Sequence, residues 1–236
     1  MSDKRRNWIC STLDVSGGSR VEGDSTQLLS MGVAAKVKLW APGTELKVRF
    51  LRGGSDLHAR TLAKASAWFL DGVNLKLRAA QGGEKADIRI DFNPASGSWS
   101  YVGTDCQGIH PSQPTMNLGW ATMDTSDEDF SSVVIHEFGH ALGLLHEHNH
   151  PDAKIDWDKA AVYADLGGNP NNWDKKTIDD NVFAKFEDGK VIKTGFDNVS
   201  VMIYTVPSNW TTNGASFMPS WKLSQGDAET IRKLYG

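Results

Sequence analysis

The residues with the clearest chemical potential are histidines, since five of the seven in the chain fall between His136 and His150. His136 and His140 are four residues apart, so both side chains project from the same side of a helix and can hold one metal ion. Neutral imidazoles suit zinc, which in catalytic sites takes three protein ligands and one water. Glu137 directly follows the first histidine, where its carboxylate can reach that water. The spacing predicts a catalytic zinc site.

A glycine after the second histidine allows the chain to supply a third ligand. Gly143 lies three residues beyond His140, and glycine tolerates the positive φ that ends a helix. The chain can then turn His146 back to the metal. Two plainer interpretations stay open. A structural zinc site would close its fourth position with a protein ligand and give Glu137 no task, and three buried imidazoles without metal would each need a separate hydrogen-bond partner.

The full pattern H-E-x-x-H-x-x-G-x-x-H over 136–146 resembles the long zinc signature of the metzincin endopeptidases,. The glutamate that follows it, Glu147, narrows the resemblance to the astacin family. A second motif agrees, because S-V-M-I-Y over 200–204 resembles the Met-turn of that family. The similarity extends to W-S-Y-V-G over 99–103 and to the closing stretch of the chain, and in total it covers residues 33–236.

The resemblance implies an α+β fold of the metzincin type, with two lobes on either side of a cleft. We expect a twisted, mixed five-stranded sheet and an active-site helix above the cleft, and a mostly irregular lower lobe with a C-terminal helix. Residues 1–32 would be a leader that could act as an inhibitory pro-segment, and residues 33–236 would be the zinc peptidase domain. One catalytic Zn²⁺ ion is implied at the floor of the cleft.

The resemblance also implies a role for each residue of the site. Glu137 would act as the general base and later deliver the proton to the leaving amine. Tyr204 would be a movable fifth ligand that leaves the metal and donates a hydrogen bond to the oxyanion. Met202 would form an apolar base beneath the imidazoles, although plain core filling is a simpler interpretation of this residue. The metal ligands would be His136, His140 and His146.

An extended substrate would add as a strand along the edge strand of the family fold, where backbone hydrogen bonds would hold it. In this chain that strand corresponds to Trp99, Ser100, Tyr101, Val102 and Gly103. The implied activity is hydrolysis of peptide bonds within a protein or peptide substrate. One alternative is a catalytically silent zinc-containing module that binds peptides, against which the intact Glu137 argues. Another is hydrolysis of a different amide or ester by the same machinery.

Some features depart from the astacin pattern or leave its interpretation open. Astacins hold their domain with two disulfides whose cysteines have no counterparts here, and Cys10 and Cys106 could form one bridge or both stay reduced. Glu147 would pair with a new N-terminal amine after a leader is cut, or it would be a solvated or locally paired carboxylate. His148 and His150 are expected at the surface or beside the ligands rather than on the metal.

The leader contains two candidate blockers of the metal. R-V-E-G-D over 20–24 resembles the F-x-G-D segment of astacin propeptides, in which the aspartate takes the water position on zinc. Asp24 is therefore a candidate latency ligand, since a carboxylate is a competent zinc ligand. An ordinary Gly-Asp turn in a flexible tail is the plainer interpretation. Cys10 is a rival blocker, because a thiolate also binds zinc well.

The composition limits the classes of partner. The 25 Lys and Arg against 29 Asp and Glu give a formal net charge of −4, which argues against nucleic acid or an anionic membrane surface as a partner. No apolar run approaches the roughly 18 residues of a membrane-spanning helix, and the first residues lack the apolar core of a secretory signal. We expect a monomer. Its location stays open between the cytoplasm and export, because only the family resemblance implies secretion.

Hydrophobic patterning predicts the elements that position the site. Alternation over 33–50, around A-P-G-T at 41–44, predicts two strands joined by a turn, and Asp56 is a candidate cap for the helix that follows. Ser126 and Asp129 form a capping pair that opens a helix through the zinc motif. That helix is apolar nearly all round and must therefore be central. Further strands are predicted at 75–78, 87–92, 99–103 and 115–118, and further helices around 158–166 and from Ser224 onward.

Overall fold

The computed structural model describes residues 11–13, 34, 38–169, 171–186, 192 and 195–236. Every strand predicted after residue 70 is present, with its bounds within two residues of the prediction. The strands are β1 (Ser11–Leu13), β2 (Glu45–Phe50), β3 (Lys76–Ala79), β4 (Ile88–Asp91), β5 (Ser98–Tyr101) and β6 (Met116–Leu118). The α-helices are α1 (Ser55–Ala65), α2 (Asp127–Ala141), α3 (Lys159–Gly167), α4 (Lys175–Ile178) and α5 (Gln225–Tyr235).

The strands form one mixed sheet in the order β1-β5-β6-β4-β2-β3. Strand β5 runs antiparallel to β6, and the other pairs are parallel. The five strands β2 to β6 confirm the expected sheet. The leader adds a sixth strand, because β1 pairs in parallel with β5 and places Ser11 opposite Trp99 and Leu13 opposite Tyr101.

Burial along the strands follows their position in the sheet. Strand β2 alternates at its start, with Leu46 and Val48 buried, as expected for a strand with one covered face. All four residues of β4 are buried because this strand lies between β6 and β2. Its Arg89 is kept in the interior by backbone carbonyls, among them those of Gln113 at 2.7 Å and Ile109 at 3.0 Å.

Two local predictions before residue 70 are wrong. Residues 38–40 form no strand, and residues 33 and 35–37 of the predicted hairpin lie outside the described part of the chain. Trp40 is buried instead, and its indole N–H donates to the carbonyl of Ala141 at 2.8 Å. Helix α1 is capped by Gly54 without a side-chain hydrogen bond, and Asp56 lies in its first turn.

The buried side chains form two hydrophobic cores. The larger core joins the sheet to α1, α2 and α5, and includes Trp68 and Phe138. The smaller core joins α3 and α4 to the segment 204–210. Met202 belongs to the larger core and Tyr204 to the smaller one, so the segment between them connects the two. Among the described residues, no helix is long and apolar enough to cross a membrane.

Helix α2 is fixed in the larger core by donors from distant parts of the chain. The indole N–H of Trp68 donates to the Ile135 carbonyl at 2.8 Å, and the hydroxyl of Tyr235 donates to the Leu142 carbonyl at 2.6 Å. The carbonyl of Leu142, the C-cap of α2, has no partner within the helix, whereas Ile135 lies inside α2. The tyrosine side chain therefore supplies a donor to the carbonyl at the end of α2, the tryptophan supplies one to a carbonyl inside it, and both fill the core around the helix.

We predict that Tyr235→Phe lowers the free energy of unfolding by about 1–3 kcal/mol, because the buried Leu142 carbonyl loses its donor while the ring stays in place. Urea unfolding of the zinc-loaded protein measures this change. The matched control is Tyr163→Phe, whose hydroxyl donates to Asp179 at the surface, and it should cost less than about 0.5 kcal/mol. Equal effects of the two substitutions would contradict the role given to Tyr235.

Candidate metal centre and active site

Three buried imidazoles converge at the centre of the molecule. The Nε2 atom of His140 lies 3.1 Å from Nε2 of His136 and 3.1 Å from Nε2 of His146. All three ligand atoms lie within 4.8 Å of one another. Two nitrogens bound at about 2.0–2.1 Å to a tetrahedral zinc ion would be about 3.3 Å apart. The observed spacing therefore fits three ligands of one ion.

The Nδ1 atoms, on the other side of each ring, determine the direction in which the Nε2 lone pairs point. Nδ1–H of His136 donates to the Val201 carbonyl at 2.8 Å, and Nδ1–H of His140 donates to the Leu144 carbonyl at 2.8 Å. Each neutral ring then carries an unprotonated Nε2 that faces its neighbour. Burial lowers the pKa of His136 to about 4 and keeps the pKa values of His140 and His146 well below the ordinary range. Three neutral imidazoles whose Nε2 atoms face one another fit a cation,.

The helix ends as the sequence predicts, and its end delivers the third ligand. Gly143 has φ +94°. Its N–H donates to the carbonyl of His140 at 2.8 Å, and the N–H of Leu144 donates to that of Gly139 at 2.9 Å, the paired bonds of a Schellman motif. The chain therefore reverses after α2 and brings His146 to the other two imidazoles.

The segment 200–204 passes beneath the histidines and is fastened to α5. Asp227, in the first turn of α5, accepts hydrogen bonds from the hydroxyl of Ser200 at 2.6 Å and from the N–H of Val201 at 3.0 Å. It also accepts the N–H of the helix cap Ser224 at 2.9 Å. Because the carbonyl of Val201 holds His136, Asp227 positions the first histidine of the cluster through two hydrogen bonds.

Met202 packs directly under α2 at the one glycine inside the H-E-F-G-H motif. A Cβ atom on Gly139 would overlap the Sδ atom of Met202 and come within 3.0 Å of the Trp68 ring. Met202 is 1% exposed, and its carbonyl accepts the N–H of Glu147 at 3.0 Å. The methionine thus lies below the helix turn that carries the first two histidines, which is the position expected for it at the base of the site.

Tyr204 and His148 pack beside the third histidine. The ring centroid of Tyr204 lies 4.2 Å from that of His146 and 4.1 Å from that of His148. His148 is buried, and its Nε2–H donates to the Asn181 carbonyl at 2.9 Å, while burial lowers its pKa to about 3. The expected position beside the ligands is therefore observed for His148, and the surface alternative is wrong.

Glu147 and His150 are also interior residues. The Oε1 atom of Glu147 accepts the N–H of Asp197 at 2.7 Å, and Oε2 has no hydrogen-bond partner in the described chain. Burial raises the pKa of Glu147 to about 9. The solvated alternative is thus wrong and local pairing is observed. His150 accepts the N–H of Asp152 at Nδ1, and the described cluster of possible metal ligands does not include it.

Glu137 lines an open pocket at the surface of the site. The carboxylate residue is 1% exposed, and the pocket wall also contains His136 and Tyr204. A substrate that enters here meets the expected base, one expected ligand and the expected oxyanion donor together.

The expected substrate strand is shorter than predicted. Strand β5 contains Trp99, Ser100 and Tyr101, but Val102 and Gly103 lie beyond its end. Gly103 has φ +51°, and a Cβ atom there would overlap the Lys38 carbonyl, so the chain must turn away from the sheet at that point. Cys106 is a buried free thiol. Asp24 and Cys10 lie outside the described residues.

Two residues that position the site are absent from the sequence-based set. Gly139 is needed because Met202 approaches from 63 positions further along the chain, and only its small size at a helical position could have indicated this. The sequence indicates only a helix cap at Asp227, where this residue completes a capping box with Ser224. Its contact with the Met202 segment gave no local signal.

We predict that Gly139→Ala lowers the free energy of unfolding by up to about 2 kcal/mol. Overpacking against Met202 costs about 1–3 kcal/mol, which exceeds the gain of about 1 kcal/mol from a better helix former. Zinc affinity should fall as well, because the displaced methionine lies below the ligands. Urea unfolding and a zinc-chelator competition measure the two effects. Gly83→Ala, with open space around it, is the control, and a Gly139→Ala protein more stable than the wild type would contradict the packing argument.

Comparisons with known proteins agree with this geometry. The family model for the astacin peptidases matches residues 33–236. A solved structure of myroilysin is 37% identical, covers 86% of this chain and 97% of its own, and superposes with a TM-score of 0.81. A second myroilysin crystal structure is 33% identical, covers 97% of this chain and 90% of its own, and has a TM-score of 0.68.

A third solved structure supports the fold alone. It is high choriolytic enzyme 1, a hatching-enzyme zinc protease of the medaka fish Oryzias latipes, with 17% identity, coverage of 85% of this chain and 95% of its own, and a TM-score of 0.55. Comparison with curated protein sequences gave no match. Peptidases of the matching family act on protein or peptide substrates and are generally secreted. The chain therefore belongs to the astacin family of peptidases and is a zinc metalloendopeptidase.

Proposed function

We propose that His136, His140 and His146 hold the zinc ion and that Glu137 is the general base for cleavage of peptide bonds in extended polypeptides. The observation that carries this assignment is the convergence of three buried, neutral imidazoles beside a buried carboxylate at an open pocket. When bound, zinc supplies a Lewis acid that lowers the pKa of a bound water to about 7.

Glu137 accepts the proton of the attacking water and delivers it to the leaving amine. The position of Glu137 next to His136 on α2 fixes this carboxylate near the ligands. Helix α2 is itself held by the buried indole N–H of Trp68 and the hydroxyl of Tyr235. Burial of the carboxylate excludes bulk water from the proton transfer, so the proton moves between Glu137 and the substrate rather than into solvent.

Tyr204 donates its hydroxyl proton as a hydrogen bond to the oxyanion that develops on the substrate. Contact with the rings of His146 and His148 limits the directions that the phenol ring can adopt. Met202 serves as the apolar base of the site. Its thioether fills the space under α2 at Gly139, in the helix turn between His136 and His140.

The leader is proposed to inhibit this activity, with residues 33–236 as the catalytic domain. Strand β1 occupies the side of β5 that faces away from β6, and a substrate added as a strand needs the same backbone groups. Leader and substrate therefore compete for β5. Asp24, or Cys10 in its place, is proposed as a further block at the zinc ion. The proposed working form is a monomer without nucleic-acid or membrane partners.

We predict that Glu137→Ala lowers kcat/KM by about 10²–10⁴-fold, the usual contribution of a general base, while bound zinc stays near one ion per chain. Digestion of a peptide library with mass-spectrometric detection, together with metal analysis, measures both quantities. Glu229→Ala, an exposed change on α5, is the control and should keep the wild-type rate. Loss of zinc together with activity would contradict the assignment of Glu137, and no cleavage by any form would favour the silent peptide-binding module.

We predict that removal of residues 1–32 raises the rate of peptide hydrolysis by about tenfold or more, which corresponds to at least about 1.4 kcal/mol of masking. Thr12→Pro in the full chain should give part of this increase, because proline removes a backbone donor from β1 opposite Ser100,. A fluorogenic peptide assay at equal zinc content compares the three proteins. An unchanged rate after removal of the leader would rule out inhibition by this segment.

A further inference from the structure

The pocket beside Glu137 extends along α2 toward the start of that helix. His136 and Glu137 line its inner end, and Glu128 and Asp129, in the first turn of α2, line its outer end. Glu128 and His136 are eight positions apart in α2, a distance of about 12 Å along the helix axis,. A side chain next to the scissile bond must therefore be long to reach the acidic end.

The walls between these two ends are mostly apolar, with Ser132 and Thr205 as polar members. Val133 and Ile203 are buried side chains along the pocket, and Trp120 also lines it. Met218 and Trp221 line the pocket and remain 44% and 39% exposed. Exposed large apolar side chains at the rim of a cleft are typical of a binding surface. Such walls fit the methylene stem of a long side chain.

Among the acidic residues at the start of α2, Glu128 is the one that no other described side chain engages by an ion pair or hydrogen bond. Asp127 already pairs with Lys64 at 2.7 Å and Arg60 at 3.5 Å. One oxygen of Asp129 accepts the hydroxyl of Ser126 at 2.8 Å. Within the part of the chain that the structure describes, no ion pair engages Glu128. Its full negative charge outweighs the partial positive charge of about one half at the helix N-terminus.

The reaction chemistry indicates which side of the substrate enters the pocket. Glu137 returns its proton to the leaving amine, so the residue that supplies this nitrogen lies on the Glu137 side of the scissile bond. Because Glu137 lines the pocket, the side chain of that residue is the one that extends into it. Lysine and arginine combine a long apolar stem with a terminal cation.

We infer that this pocket selects substrates with lysine or arginine on the amine side of the cleaved bond, and that Glu128 determines this specificity. The inference rests on the proposed function of the zinc site. Lys222 works against the preference, since its Nζ lies 3.8 Å over the Trp221 ring and adds positive charge at the mouth of the pocket. Removal of that charge should therefore strengthen the preference.

The test uses the full chain and quenched peptides that differ only at the residue after the scissile bond, which is arginine, lysine, norleucine or glutamate. For the wild type, kcat/KM for the arginine and lysine peptides should exceed that for the norleucine peptide by about fivefold, as expected for a partly exposed ion pair. The ratio should fall toward one in Glu128→Gln and rise in Lys222→Gln. It should also fall as salt concentration rises.

Glu229→Gln is the matched control, because it makes the same chemical change at an exposed position on α5 outside the pocket lining. It should keep the wild-type ratio. Cleavage of all four peptides with equal efficiency, or a preference that survives in Glu128→Gln, would overturn the inference and leave the zinc peptidase assignment in place. Failure of the zinc-loaded wild type to cleave any peptide, before and after removal of residues 1–32, would overturn the proposed function and this inference with it.

Discussion

Two backbone carbonyl oxygens, those of Val201 and Leu144, determine where the metal-binding lone pairs point. Each accepts the Nδ1–H of a histidine on α2 at 2.8 Å, which leaves the Nε2 atoms unprotonated and 3.1 Å apart. Burial makes a protonated imidazole costly, so the protein cannot relieve the repulsion between these lone pairs by taking up protons. A bound cation would offset this repulsion, which agrees with a zinc site at these three histidines.

The two carbonyls come from parts of the chain that are far apart in sequence, and this explains why the last helix matters for the site. Leu144 follows the turn at Gly143 and is set locally. The backbone of Val201 is held by the carboxylate of Asp227. Burial raises the pKa of Asp227, so its charged form depends on the hydrogen-bond donors around it. The capping box of α5 thus has a second function. It holds the segment that orients His136, so the closing residues of the chain form part of the metal centre.

The sequence was informative wherever a local pattern determined the result. The H-E-x-x-H spacing, the Ser126 cap and the positive φ of Gly143 each follow from helix geometry, and all three are observed. Contacts between distant segments gave no such signal. The approach of Met202 to Gly139 and the loss of strand at Gly103 depend on which backbone comes close in space, and the alternation over 33–40 could not show that Trp40 donates to α2.

The pairing of β1 with β5 follows from the same rule that leads us to propose β5 as the docking edge for substrates. An edge strand exposes N–H and C=O groups that any extended chain can satisfy, and a peptidase that holds substrates in this way must leave one edge available. A leader of the same chain is present at a high effective concentration, which favours occupation of the edge by a strand of only three residues. The parallel direction of β1 is also significant. The parallel pair covers the N–H and C=O groups on that side of β5 with evenly spaced, slanted hydrogen bonds,, so a substrate that added as a strand would have to displace β1 before it could pair with the same groups.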